Sequence, residues 1–166
     1  MNRIYCENNV ENQDIRSYMV DKEPVALYKR YFEEMYQLVS YADIDILAHF
    51  DLMKRYAVEL DYLGRYDFDV CKEMIIEILK KGIERNIGIE INTSGLSKTA
   101  LNETLPSMNV LKLYKELGGE VLTIGSDSHA AATVGSHLGT ALEMAKEAGF
   151  THIYLFNNRE PQAIKI

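Results

Sequence analysis

From Pro24 onward, apolar residues recur with two alternating periods. Tyr28, Phe32, Met35 and Val39 are three or four apart, the spacing of one helix face, and Pro24 suits the first turn of that helix. Asp45 to His49 (Asp-Ile-Leu-Ala-His) is short and apolar, as a buried strand would be. Val70, Met74, Ile75, Ile78 and Leu79 mark a second helix from about Asp67 to Arg85, and Ile87 to Ile91 a second strand. Ser107 stands where a helix cap is needed, before an apolar face of Val110, Leu111, Tyr114 and Leu117. Gly118-Gly119 ends that helix and Val121 to Gly125 is a third strand. Val134, Leu138, Ala141, Leu142 and Ala145 face inward from a fourth helix ending at Gly149, and Ile153 to Phe156 is a fourth strand. The order αβαβαβαβ with short connections predicts an α/β fold, a parallel sheet covered by helices. Residues 1–23 are polar, rich in Asn and Glu, and show no clear period.

The 166 residues fit a single domain over 1–166. The net charge is −7 and no run of Lys or Arg forms a basic patch, which argues against a grip on nucleic acid. A small phosphorylated molecule stays open, because a bound metal ion reverses the local field. Cys6 and Cys71 are far apart and form no CxxC pair, so both are expected to be reduced, in a cytoplasmic protein. The amino terminus has no apolar signal core and no stretch approaches 18 consecutive apolar residues, so neither export nor membrane anchoring is expected.

The residues with chemistry to offer lie just after the expected strands. His49 and Asp51 follow the first, Asn92, Thr93 and Ser94 the second, and Ser126, Asp127, Ser128 and His129 the third. In parallel β/α folds that edge is the active face, where side chains from several strands converge. Asp127 and His129, two apart on an extended segment, can reach the same side and hold one divalent ion or two adjacent ones. Asp127 could instead cap the next helix. His49 reads either as a third ligand or as a hydrogen-bonded core histidine, and Asp51 either orients it or caps a helix. Lys54, Arg55 and Lys98 could neutralise a phosphate monoester, Arg55 bidentately, or stand as solvated charges. Asn92 and Ser94 are candidate substrate contacts. His137, within the fourth helix, and His152, opening the last strand, are read as structural. Cys71 is read as packing, and Tyr28, Tyr31, Tyr36 and Tyr41 as core and interface.

Four separated motifs then carry a family resemblance. Ile-Leu-Ala-His-Phe-Asp-Leu-Met-Lys-Arg-Tyr (46–56), Glu-Ile-Asn-Thr-Ser-Gly-Leu (90–96), Leu-Tyr-Lys-Glu-Leu-Gly-Gly (113–119) and Gly-Ser-Asp-Ser-His (125–129) resemble the histidinol-phosphate phosphatases of the polymerase-and-histidinol-phosphatase (PHP) superfamily. The ending Ala-Gly-Phe-Thr-His-Ile-Tyr-Leu-Phe-Asn-Asn-Arg (148–159) also fits, and the match runs from about residue 18 onward. The resemblance implies a distorted TIM-like (β/α)7 barrel with usually three divalent metals, zinc, iron or manganese, on its active face. It implies hydrolysis of L-histidinol phosphate to L-histidinol and phosphate in histidine biosynthesis, the metals and basic side chains holding the phosphoryl oxygens. Carried across, His49, Asp127 and His129 match metal ligands, with Asp127 and His129 at the catalytic centre, and Arg55 is a phosphate contact.

The chain departs from the family pattern in definite places. The family opens on a strand carrying His-x-His, whereas no His precedes position 49 here, and Tyr5 or Cys6 stands near where a later strand's His should fall. After Gly-Leu the family shows Arg-Lys; this chain has Ser97-Lys98. The expectation is therefore a truncated PHP domain lacking the first strands and holding fewer than three metals. Its open sheet edge would favour a homo-oligomer. An alternative is a catalytically impaired remnant or interaction module.

Overall fold

The computed structural model describes residues 23–59, 67–97 and 101–166. Lys98 and Cys6 lie outside them. Helix α1 (Pro24–Tyr41) starts where Glu23 accepts the Ala26 N–H at 2.7 Å, with Pro24 in its first turn. Its expected face is its buried face: Tyr28, Phe32, Met35 and Val39 are at most 7% exposed. A very short strand β1 (Ile46–Leu47) and helix α2 (Met53–Glu59) follow. Helix α3 (Phe68–Glu84) is capped by Asp67, whose carboxylate accepts the N–H groups of Asp69 and Val70. Its buried stripe runs through Cys71, Ile75, Ile78 and Leu79. Val70, expected inside, is exposed, and Cys71 takes the core place instead.

Strand β2 (Gly88–Asn92), helix α4 (Met108–Glu116) and strand β3 (Leu122–Gly125) come next. Strands β1, β2 and β3 form a parallel sheet in that order. Ile89 and Ile91 stand beside Leu122 and Ile124, while Glu90 and Asn92 stand beside Thr123 and Gly125. The period of two thus gives one apolar face, buried with the residues of α1, α3 and α4, and one polar face. Ser107 occupies the cap position of α4, but its side chain makes no cap bond; its N–H donates to Asp51 Oδ2 at 3.0 Å. Gly118, at φ +91°, stops the helix as expected.

Two expectations about the last third are corrected. Helix α5 (Leu138–Glu147) starts four residues later than Val134, because Gly135 and His137 both have positive φ and break the helical run. Val134 is exposed and His137 precedes the helix. The fourth strand, β4 (His152–Asn157), does form, but among the described residues it does not join the parallel sheet: it pairs antiparallel with a further strand, β5 (Glu160–Lys165). Asn157 pairs with Glu160, leaving the two-residue turn Asn158-Arg159, both at positive φ, as a type I′ hairpin requires. Arg159 then donates to both carboxylates that precede β1, Asp43 and Asp45, at 2.7–3.2 Å. The hairpin turn therefore sits at the amino end of the sheet, opposite the polar edge described next.

Candidate metal and phosphate site

The carboxyl ends of β1, β2 and β3 deliver the polar residues. His49 lies two residues beyond β1 and Asp127 two beyond β3, and both have left-handed backbone, φ +55° and +48°. His and Asp tolerate that conformation better than most residues, and such outliers gather at functional sites. The His49 carbonyl accepts the Tyr31 hydroxyl at 2.7 Å. Burial first, then the nearby Asp51 charge, pushes the Tyr31 phenol far above its ordinary range, so it stays a donor.

Asp127 stands between two imidazoles. Its Oδ2 is 4.0 Å from His49 Nε2 and its Oδ1 is 3.5 Å from His129 Nε2. These are too long for hydrogen bonds. Ligand atoms sharing a tetrahedral ion at 2.0–2.1 Å lie about 3.3 Å apart, so the shorter contact is close to that spacing and the other exceeds it. His49 Nδ1 is buried without a hydrogen-bond partner among the described residues. Yet no group of three His, Cys, Asp or Glu side chains among the described residues is gathered closely enough to hold an ion by itself. The donors fit one side of a coordination shell and do not close it.

The loop that carries Asp127 and His129 is tied down by hydroxyls, two of its own and one from the end of β2. Thr93 donates to the Ser136 carbonyl at 2.7 Å, Ser126 Oγ accepts the Gly135 N–H at 3.2 Å, and Ser128 donates to the Ala130 carbonyl at 2.7 Å. The His129 side chain remains 90% exposed.

Beside this lies a second pair. Arg55 Nη1 donates to Ser94 Oγ at 3.3 Å, and its guanidinium lies over the Tyr56 ring. Asn92 is engaged at both ends of its amide: Nδ2 donates to Glu90 Oε1 at 3.0 Å and Oδ1 accepts the Ser94 N–H at 2.9 Å. It braces the strand end and presents no unengaged amide oxygen to a substrate.

Two expectations fail here for one reason. Lys54 is 3% exposed and its ammonium donates to the Thr104 carbonyl at 2.6 Å, Glu103 at 3.2 Å and Asp51 Oδ2 at 3.0 Å. All three of its protons are spent, so it is not a phosphate contact. Asp51 is buried, held by Lys54 and the Ser107 N–H, and does not orient His49. Desolvation raises its carboxyl above the ordinary range, with Lys54 opposing. The sequence reading took Tyr31 only as core and interface and did not single out Glu90. The signal for Glu90 was there: a carboxylate in the middle of an otherwise apolar strand.

An α/β domain thus gathers His49, Asp127, His129 and Ser94 past the carboxyl ends of parallel strands, with Arg55 of α2 beside Ser94. No protein-family model matches the chain. A probable histidinol-phosphatase of Clostridium acetobutylicum is 38% identical over 129 residues, 77% of this chain and 49% of that protein. One from Thermotoga maritima is 29% identical over 139 residues, 84% of this chain and 56% of the relative. The histidinol phosphate phosphatase of Lactococcus lactis, crystallised with zinc, L-histidinol and phosphate, shares the fold with a TM-score of 0.69 at 24% identity, over 87% of this chain and 54% of that one. Over the matched stretch the chain is similar to proteins named histidinol-phosphatase. It spans about half the length of the curated relatives it matches. No described helix is long and apolar enough to cross a membrane.

Proposed function

We propose that the chain serves a metal-dependent phosphatase that hydrolyses L-histidinol phosphate to L-histidinol and phosphate in histidine biosynthesis. The observation that carries this is the Asp127 carboxylate set between His49 and His129 at the carboxyl ends of parallel strands, in a chain similar to proteins named histidinol-phosphatase. His49, Asp127 and His129 are the proposed ligands for zinc, iron or manganese. The zinc in the Lactococcus lactis structure supports a divalent ion. When bound, such an ion supplies positive charge against phosphoryl oxygens and acidifies water. Arg55 offers a planar fork of donors to those oxygens and Ser94 a hydroxyl, with Lys98 as a further cation. Asp127 and the exposed imidazole of His129, 3.5 Å apart, form the proposed catalytic centre. The proposal includes one cytoplasmic domain and an edge-to-edge homo-oligomer through β1, which has one strand neighbour among the described residues.

A second reading, an impaired remnant or interaction module, is favoured by the open donor set. Metal analysis of the purified chain, with phosphate release from histidinol phosphate in added manganese, separates the two. The phosphatase reading expects at least one equivalent of metal, lost in His129→Ala, and turnover. Less than one equivalent and no turnover would leave the remnant.

A further inference from the structure

We propose that Glu90 is a positioning residue that fixes the Arg55 guanidinium through the chain Glu90–Asn92–Ser94–Arg55. The inference rests on the reading of Arg55 and Ser94 as the pair that receives phosphoryl oxygens. Three consecutive hydrogen bonds make the chain. Glu90 Oε1 accepts the Asn92 amide at 3.0 Å, Asn92 Oδ1 accepts the Ser94 N–H at 2.9 Å, and Ser94 Oγ accepts Arg55 Nη1 at 3.3 Å. Its middle member is 1% exposed, so the Asn92 amide has no water to turn to if Glu90 is removed. With its nitrogen held by a carboxylate, the amide has one orientation, its oxygen toward Ser94.

Glu90 also touches the other half of the site. A Cβ on Gly125 would lie 2.7 Å from Glu90 Oε2, so the carboxylate fills the space that this glycine leaves empty. Gly125 is two residues from Asp127, and its carbonyl accepts the Thr93 N–H at 2.9 Å. One carboxylate on the polar face of β2 therefore sets the end of β3 and, through two relays, the arm that comes from α2. A residue kept only for strand stability has no reason to sit at the head of such a chain.

The test compares Glu90→Ala, Glu90→Gln and Ser94→Ala in the full chain. The Arg55 Nε–H signal is followed by NMR, and affinity for inorganic phosphate is measured by titration. Glu90→Ala is expected to collapse the Arg55 signal toward that of a free arginine and to weaken phosphate binding about tenfold, the lower range for a lost orienting partner. Glu90→Gln, which keeps the acceptor oxygen, is expected to restore both. Ser94→Ala breaks the last link with Glu90 intact and is expected to free Arg55 in the same way, which keeps the test decisive if Glu90→Ala fails to fold. An Arg55 signal unchanged in Ser94→Ala and in folded Glu90→Ala overturns the proposal. An ordered Arg55 signal that depends on Glu90 in a protein without phosphate affinity upholds the positioning and rejects the phosphate reading instead.

Discussion

Lys54 and Arg55 follow one another on α2, about 100° apart around the helix axis. Lys54 turns inward to Asp51 and the 103–104 segment, and Arg55 turns toward Ser94. The buried pair is the more fragile. Lys54→Met leaves the Asp51 carboxylate buried without its cation, and the expected loss is about 3–5 kcal/mol in a urea unfolding series. Adding Asp51→Leu should recover much of it, since no charge is then left uncompensated. A loss below about 1 kcal/mol in the single variant would mean that Asp51 finds solvent or another donor. At this scale the sequence was partly legible. His49, Asp127 and His129 were singled out because each lies just past an apolar strand, and the structure places all three at one edge. Lys54 was misread because two of its three partners, Glu103 and Thr104, are about fifty positions away, and the third, Asp51, reads equally well as a helix cap.

The helices were the legible elements, because a repeat of 3.6 residues leaves its mark in the chain itself. On α1 the consequence is a sharp contrast between faces. Phe32 is 1% exposed and rings with Tyr31 and Phe50, so Phe32→Ala is expected to cost about 3–5 kcal/mol. Tyr41 is 81% exposed, so Tyr41→Ala should stay within about 0.5 kcal/mol. Thermal or denaturant unfolding of the two variants checks this, and equal losses would put the helix face in the wrong place. The register of α3 was less legible, since Val70 and Cys71 are both apolar and only packing decides between them. Strand partnership was the least legible. A short apolar run such as Ile153 to Phe156 reads alike in a parallel and an antiparallel sheet. The turn that decides it, Asn158-Arg159, places an arginine at φ +69°, a residue that few turn rules would nominate.

At the scale of the molecule, the hydrogen bonds of Arg159 reach furthest in sequence among the described residues, joining positions 114 and 116 apart at the amino end of the sheet. The hydrogen bonds from Arg159, and then its charge, hold the Asp43 carboxyl below the usual range. A carboxyl depressed on folding binds fewer protons folded than unfolded between the two values. The stabilisation it gives is therefore present above the ordinary aspartate value of about 3.9 and lost as pH falls through the lower one. A carbon NMR titration should show Asp43 protonating below an ordinary aspartate, and Arg159→Ala should return it to the ordinary midpoint. An ordinary midpoint in the unaltered protein would mean that the clamp is not formed.

The same clamp bears on how the chain is digested. A trypsin-type protease must draw an arginine side chain into its own specificity pocket while the flanking backbone lies straight in the cleft. At Arg159 the guanidinium is already occupied by two carboxylates, and the backbone is bent into the hairpin turn. The Arg159–Glu160 bond is thus a latent cleavage point, exposed on the surface yet shielded until the turn opens.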